Sequence, residues 1–237
     1  MKTKILLSFL LIAGCQFFVG CSNSTQSGEA VSTESDPAVP VIEPGYSAYG
    51  SLIWENERPT SQSWSHYLFQ VLDQEAPDLI NGSQDMGSFC PNYSRLLRSE
   101  KILFWGHLIS QIAKFESGFS PVSRFREPSR KDAITGQALY SEGLLQLSYQ
   151  DLQFMPRCEF DWQRDRTLAA TDSRKTILNP YRNLRCGVLI LNRQLHRSDR
   201  IVLSSGAYWA VIKSDSAYSK LNLIQKFTKS LAICQPQ

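Results

Sequence analysis

The sequence predicts a mainly α-helical domain. Residues 95–115 and residues 183–195 both carry apolar side chains at the three- and four-residue spacing of a helix with one buried stripe. No other segment sustains the alternation of apolar and polar residues that marks a strand, and no internal repeat is visible. The 237 residues are 42% hydrophobic and 20% charged, an ordinary globular composition that excludes collagen, coiled coil and wholesale disorder.

The limits of these helices follow from local signals. The helix over 95–115 is expected to end at Gly118 and Pro121, which both interrupt a helix. The helix over 183–195 follows Asn179-Pro180, and proline fits the first helical turn because that position needs no amide hydrogen.

Three further segments complete the prediction. Residues 204–212 and 220–233 are additional helical candidates, and the polar, turn-rich stretch 124–141 predicts a loop or a short β-hairpin. Residues 46–94 are expected to form an N-terminal extension packed on the core, with a further ligand-contacting surface as the alternative. This segment includes the aromatic residues Tyr46, Tyr49, Trp54 and Trp64.

The first 20 residues are expected to be an export signal rather than part of the fold. Lys2 and Lys4 form a basic region before the apolar residues Ile5 to Ile12, which is the pattern of a secretory signal. Cys21 is the predicted lipidation site because polar residues follow it, and Cys15 is the alternative. Ordinary cleavage without a lipid is the other reading. Export to the periplasm or the outer membrane as a lipid-anchored protein is expected, with secretion as the alternative.

Residues 21–45 predict a flexible tether. Small and polar residues dominate this segment, so it cannot bury enough apolar surface to offset the entropy lost on ordering. It would hold the folded part away from a membrane.

Four cysteines remain after Cys21, and they predict two disulfides because exported proteins meet an oxidising compartment. The pairing is open, and free buried thiols are the alternative. The chain contains three histidines without ligand spacing and no Cys-x-x-Cys pair, so no metal site or cofactor is expected. The four cysteines are Cys90, Cys158, Cys186 and Cys234.

Charge is distributed unevenly. Residues 22–89 contain ten acids and one base, whereas residues 90–213 contain nineteen bases and eleven acids. A basic half would suit an anionic polymer, although plain solubility explains it equally well. An acidic cell-wall glycan fits better than nucleic acid, because no nucleic-acid-binding module is recognisable.

Glu116 is the candidate catalytic residue. It follows a strongly apolar helix, so it lies near the negative end of the helix dipole, between Phe115 and Phe119. Both surroundings disfavour the charged carboxylate and raise its pKa, as a general acid near neutral pH requires. By itself the pattern is weak, because a glutamate at a helix end is usually a solvated surface residue.

Three later segments accompany Glu116-Ser117 in order: residues 141–147 (Ser-Glu-Gly-Leu-Leu-Gln-Leu), 179–188 and 205–210. Together they resemble the family of soluble lytic transglycosylases and goose-type lysozymes over about residues 95–213. The resemblance implies a lysozyme-like helical domain over residues 95–237, with the loop or hairpin after the catalytic helix. A monomer is expected.

The resemblance also implies individual roles. Glu116 matches the catalytic acid, while Asn183 and Gly187 match a motif that helix packing alone would explain. Trp209 departs from the family, which usually has asparagine there, and is either core or a sugar platform. The implied substrate-contacting residues are Ser117, Gly143, Leu144, Leu145, Gln146, Tyr208 and Trp209.

The implied reaction is cleavage of the β-1,4 bond between N-acetylmuramic acid and N-acetylglucosamine in peptidoglycan. A transglycosylase would use Glu116 alone and form a 1,6-anhydro product, whereas a lysozyme would add a second carboxylate. The candidates are Glu142, first in line, Glu127 and Asp132, with a surface or structural salt bridge as the alternative for Glu142. Acids in the inserted segment 122–141 could also receive the ammonium of an N-deacetylated glycan. A non-catalytic peptidoglycan-binding lipoprotein that keeps the fold is the alternative function.

Overall fold

A computed structural model describes residues 40–235. The predicted signal peptide, Cys15, Cys21 and the tether up to residue 39 lie outside the described residues. Within residues 40–235, no helix combines the length and apolar character needed to cross a membrane. Gln70 hydrogen-bonds to the backbone of Val41 and Glu43, so contacts with the folded part begin several residues before the predicted boundary at 45.

The described chain is mainly α-helical, as predicted, with one antiparallel two-stranded sheet. Short 3-10 turns connect many of the elements. In chain order the helices and strands are α1 (Trp54–Glu57), α2 (Gln62–Glu75), α3 (Pro77–Asn81), α4 (Arg98–Ser117), β1 (Arg124–Lys131), β2 (Ala138–Glu142), α5 (Trp162–Asp165), α6 (Pro180–Ser198) and α7 (Leu221–Ser230).

Local capping sets the ends of the two long helices. The backbone amide of Leu97 donates to the Glu100 carboxylate, which starts α4 three residues later than the sequence predicts. Gly118 ends α4 in the left-handed region at φ 57°, as expected of a C-terminal glycine. The Asn179 side chain accepts from the amides of Tyr181 and Arg182, so it caps α6 with Pro180 as the first helical residue.

Of the predictions for the other segments, two are confirmed and one is wrong. The β-hairpin is confirmed by β1 and β2, and the helix over 220–233 is confirmed as α7 followed by a 3-10 turn. The helix over 204–212 is wrong, because only Ala210–Ile212 forms a 3-10 turn. Two serines precede Gly206, which adopts φ 82°, and residues of these types favour turns over a continuous helix.

A single hydrophobic cluster joins the upstream residues to the long helices. Helix α2 packs against both α4 and α6, and the Tyr67 ring meets Tyr181 edge-on at 5.3 Å between centroids. Gly106 permits the close approach of α4, because an added Cβ would lie 2.6 Å from the Phe69 ring. Trp54 is fully buried, so residues around α1 and α2 are part of the core.

The two predicted disulfides are confirmed, and the structure resolves their pairing. Cys90 pairs with Cys234 across a sequence separation of 144 residues, and Cys158 pairs with Cys186 of α6. The first bond ties the C-terminal segment to the chain just before α4. The second fixes the segment that precedes α5 to the middle of α6.

Candidate active site

Glu116 lies in the last turn of α4 and is half-buried. Burial raises the pKa of its carboxyl group to about 7, and the nearby negative charge of Glu127 contributes to the same shift. The Ser117 hydroxyl donates to the Ala113 carbonyl one turn earlier, so its recorded contact lies within α4 rather than with Glu116. A carboxyl group poised to hold a proton near neutral pH therefore stands at the end of the core helix.

The chain turns sharply after Glu116. Gly118 and Phe119 both adopt positive φ, at 57° and 62°, which is unusual for phenylalanine. The Phe119 ring is buried and meets Trp54 edge-on, with 6.3 Å between centroids. Burial of a large ring offsets the cost of this backbone conformation. The segment before α2 thus helps to position the loop beside the candidate acid.

The hairpin brings a second glutamate to this site. Arg124, Phe125 and Arg126 pair in register with β2, and the pairing is then interrupted before Lys131. Such irregularities re-aim side chains and are common beside active sites. Glu127 lies in the irregular stretch, where its Oε1 accepts a hydrogen bond of 2.7 Å from the Ser141 hydroxyl. Glu127 is therefore fixed at a position where its charge reaches Glu116.

Glu142 occupies a different environment. It is buried, and its Oε1 lies 2.7 Å from Arg124 Nε and 3.0 Å from Lys175 Nζ, with Lys175 buried as well. A buried carboxylate that two cations hold through one oxygen has the arrangement of a structural ion pair. The structure thus places Glu142, the first candidate for the second carboxylate, in the structural ion pair that was its alternative.

Asp132 is likewise a structural carboxylate. Its Oδ1 accepts from the amides of Ile134 and Thr135, which closes the hairpin turn, and its Oδ2 accepts from the amide of Gln150. The side chain is buried. Of the three candidates for a second carboxylate, only Glu127 has a recorded electrostatic interaction with Glu116.

The Gly-Leu-Leu-Gln segment, residues 143–146, forms a tight turn directly after β2. Gly143 adopts φ 80°, and a Cβ added there would lie 2.3 Å from the Asn183 amide nitrogen. That amide donates to the carbonyls of Glu142 and Ile177, and its oxygen accepts from Leu145 N. The buried Asn183 side chain thus holds this turn in place through three hydrogen bonds.

The side chains of this segment contradict the expectation that all of them contact substrate. Leu144 and Leu145 are buried, and Leu145 packs where a side chain on Gly187 would collide with it at 2.2 Å. The Gln146 amide donates to the carbonyls of Gly143 and Ser123 and ties the post-helix loop to the turn. Packing explains Gly187 and the leucines.

Tyr208 and Trp209 divide into two roles. Trp209 is 3% exposed and its Nε1 donates to the Leu145 carbonyl, so it belongs to the core and offers no sugar platform. Tyr208 is half-buried and donates a 2.6 Å hydrogen bond to Asp151 Oδ2. Burial and the Asp151 charge raise the pKa of Tyr208, and the charge of Glu116 adds to them. The Tyr208 phenol therefore stays protonated within electrostatic range of Glu116.

Asp151 is a site residue that the sequence did not single out. It accepts from the amide of Ser148 at 2.7 Å as well as from Tyr208, and burial raises its pKa to about 6. Its only sequence signal is the Ser-x-x-Asp spacing of a capping box directly after the Gly-Leu-Leu-Gln turn. Within the described part of the chain, no three or more histidine, cysteine, aspartate or glutamate side chains are grouped to hold a metal ion.

Comparison with known proteins yields structural relatives only. No family model and no curated protein matches the chain. The solved structure of Bd0314 DslA, wild-type form 2, is similar at 27% identity and a TM-score of 0.65, covering 79% of this chain and 99% of that one.

Two glutamate-to-glutamine variants of Bd0314 DslA are similar as well, both at 27% identity. The variant substituted at the earlier position has a TM-score of 0.64 and covers 77% of this chain and 97% of that one. The variant substituted at the later position has a TM-score of 0.66 and covers 79% of this chain and 99% of that one. The two substituted glutamates are eleven positions apart in Bd0314 DslA, the same separation as Glu116 and Glu127.

Proposed function

We propose that this protein is a peptidoglycan glycosidase with a lysozyme-like helical domain. It cleaves the β-1,4 bond between N-acetylmuramic acid and N-acetylglucosamine with Glu116 as the general acid. The observation that carries the proposal is the half-buried Glu116 carboxyl group, whose pKa is raised to about 7 by burial and by Glu127. A glycosidic oxygen leaves readily only when it is protonated, and such a carboxyl group supplies the proton near neutral pH.

Glu127 is the proposed second carboxylate. Two carboxyl groups in different environments divide the acid and base roles, and burial, with a smaller contribution from the Glu127 charge, keeps Glu116 protonated near neutral pH. The Ser141 hydroxyl donates to Glu127 Oε1, which leaves Oε2 for a water or for the developing positive charge on the sugar. This division supports hydrolysis, the lysozyme reaction, over formation of a 1,6-anhydro sugar.

The surroundings support a glycan as substrate. Phe125 is 57% exposed and lies two residues before Glu127 on β1. An exposed aromatic ring beside a catalytic carboxylate suits the apolar face of a sugar. An ionised Glu127 would also attract the ammonium group of an N-deacetylated glucosamine. The N-terminal sequence supports export of the protein, as a monomer with a lipid anchor, to the compartment that holds this polymer.

Product analysis tests the proposal. Purified native and N-deacetylated sacculi are treated with the mature protein, Glu116→Gln, Glu127→Gln and the exposed-site control Glu57→Gln, and soluble products are weighed by mass spectrometry. Reducing-end products that require both Glu116 and Glu127 are expected. Products lighter by one water, formed without need of Glu127, would instead identify a lytic transglycosylase. Binding of the polymer without any Glu116-dependent product would leave a non-catalytic binding protein.

A further inference from the structure

A cavity of about 420 Å³ lies beside the C-terminal half of α6. Ile190, Arg193 and Arg197 of that helix form one wall, and the chain around Leu203 and Gly206 contributes another. The proposed reaction uses none of these residues. The cavity is large enough for several amino-acid residues of a bound ligand but not for a long polymer.

The charge in this cavity is uncompensated. Arg193 and Arg197 are one helical turn apart on the same face, where like charges repel, and no acidic residue lines the cavity. Arg193 Nη1 donates to the Phe154 carbonyl at 2.6 Å, which orients that guanidinium, and its other donors have no hydrogen-bond partner within residues 40–235. The Arg197 side chain makes no hydrogen bond or ion pair within residues 40–235. A bound carboxylate would relieve the repulsion and accept from both guanidinium groups.

The rest of the lining combines apolar side chains with the polar Gln194, Ser198 and Tyr208. Gln194 Nε2 donates to the carbonyls of Arg200 and Ile201, which fastens the chain leading to Leu203 onto α6. The Phe154 ring is partly exposed beside Arg193. A ligand that fits therefore combines carboxylates with small apolar groups, as an acidic peptide does.

Tyr208 connects this cavity to the active site. It lines the cavity, and its hydroxyl is bound to Asp151 within electrostatic range of Glu116. A ligand in the cavity would thus lie next to a glycan held against Glu116. A peptide attached to that same glycan meets this condition, whereas an unrelated acidic peptide gains nothing from it.

We propose that this cavity, the Arg193–Arg197 pocket, binds the acidic stem peptide that muramic acid residues carry in peptidoglycan. The proposal rests on the glycosidase function above and names a second recognition element for the same substrate. The glutamyl and terminal carboxylates of the peptide meet the two arginines, and the alanine methyl groups meet Phe154, Ile190 and Leu203.

A substrate comparison tests the pocket. Peptide-bearing glycan chains and the same chains stripped by an amidase are offered to the wild type, Arg197→Gln, Arg193→Gln/Arg197→Gln and Arg166→Gln, an exposed arginine outside the pocket. We expect the wild type and Arg166→Gln to favour the peptide-bearing chains about tenfold in kcat/KM, since charge-assisted bonds supply such a factor. The preference should fall in Arg197→Gln and vanish in the double variant. Equal use of both substrates by the wild type would overturn the proposal.

Direct binding separates this proposal from the glycosidase function. The N-acetylated tripeptide N-acetyl-L-alanyl-γ-D-glutamyl-L-lysine, which carries two carboxylates and one ammonium group, is titrated by calorimetry into the Glu116→Gln protein, with and without Arg197→Gln. Binding that needs Arg197 would support the pocket even if no glycan were cleaved. No binding, or equal competition by inorganic phosphate, would overturn it even if the glycosidase were active. Because Arg197 has no recorded bond within the described chain, its substitution leaves the fold intact for this measurement.

Discussion

Glu116 and Glu142 flank the same hairpin and have opposite surroundings. Glu116 is half-buried near another carboxylate and has no cation partner within residues 40–235, so burial and the Glu127 charge raise its pKa. Glu142 is fully enclosed, but its Oε1 lies within 3.0 Å of both Arg124 and Lys175. The comparison shows that burial alone does not make a general acid. The decisive factor is whether the fold supplies a countercharge.

The largest effect is expected at Glu116. Glu116→Gln keeps the shape of the side chain but cannot donate a proton, so kcat should fall about 10²–10⁴-fold. Turnover of soluble glycan chains measures the loss, and Glu57→Gln should match the wild type. Retention of most activity by Glu116→Gln would remove Glu116 from the reaction.

Glu142→Gln should reduce stability rather than chemistry. The substitution leaves Lys175 buried and without its carboxylate, and breaking a buried ion pair costs about 3–5 kcal/mol of unfolding free energy. Denaturant unfolding at pH 7 measures the change, with Glu57→Gln expected within about 0.5 kcal/mol of the wild type. A stable Glu142→Gln protein without activity would return Glu142 to the list of catalytic candidates.

Tyr208→Phe should lower kcat/KM about tenfold, because one hydrogen-bonding hydroxyl near the reacting sugar is lost. Asp151→Asn should act through Tyr208 and so add little to Tyr208→Phe in the double variant. Steady-state kinetics of the three variants measures this coupling, and the exposed Tyr218→Phe serves as the matched substitution. Fully additive losses would mean that Asp151 does not position Tyr208.

Phe125→Ala should produce the smallest change, a few-fold rise in KM with kcat retained, because one exposed ring is removed from the glycan path. Kinetics on chains of fixed length measures it. Tyr218→Ala removes an exposed ring from another region and should leave KM unaltered. A similar KM for Phe125→Ala and the wild type would show that sugars do not contact β1.

The sequence predicts correctly those helices and helix ends that depend on interactions between neighbouring residues. The apolar faces of α4 and α6 follow from residue spacing within each helix. The end of α4 at Gly118 and the start of α6 at Asn179-Pro180 depend on neighbours within a few residues. The serines before Gly206 favoured a turn over the apolar pattern that predicted a helix over 204–212.

The site was only half predictable. Glu116 could be inferred from the end of its own helix. Glu142 and Glu127 could not be distinguished, because Lys175 is 33 residues from Glu142 and the irregular pairing that aims Glu127 depends on β2. Asp151 could not be identified as a site residue from the sequence, because its partner Tyr208 is 57 residues away.

The raised pKa of Glu116 makes the folded protein less stable as the pH rises. The folded value of about 7 lies above the ordinary value of 4.5. The neutral carboxyl group is therefore fully accommodated below pH 4.5, and stability is lost as the pH rises through 7. Glu116→Gln removes this loss, so the variant should become the more stable protein between pH 5 and pH 8, opposite in sign to Glu142→Gln.

A carboxyl titration of Glu116 tests the central claim most directly. Side-chain ¹³C shifts of glutamate-labelled protein are followed from pH 3 to pH 9, with Glu116→Gln to assign the resonance. We expect an inflection at about pH 7 that moves down in Glu127→Gln, because a neighbouring negative charge is removed. An inflection near pH 4.5 that ignores Glu127 would contradict a Glu116 held neutral for proton donation.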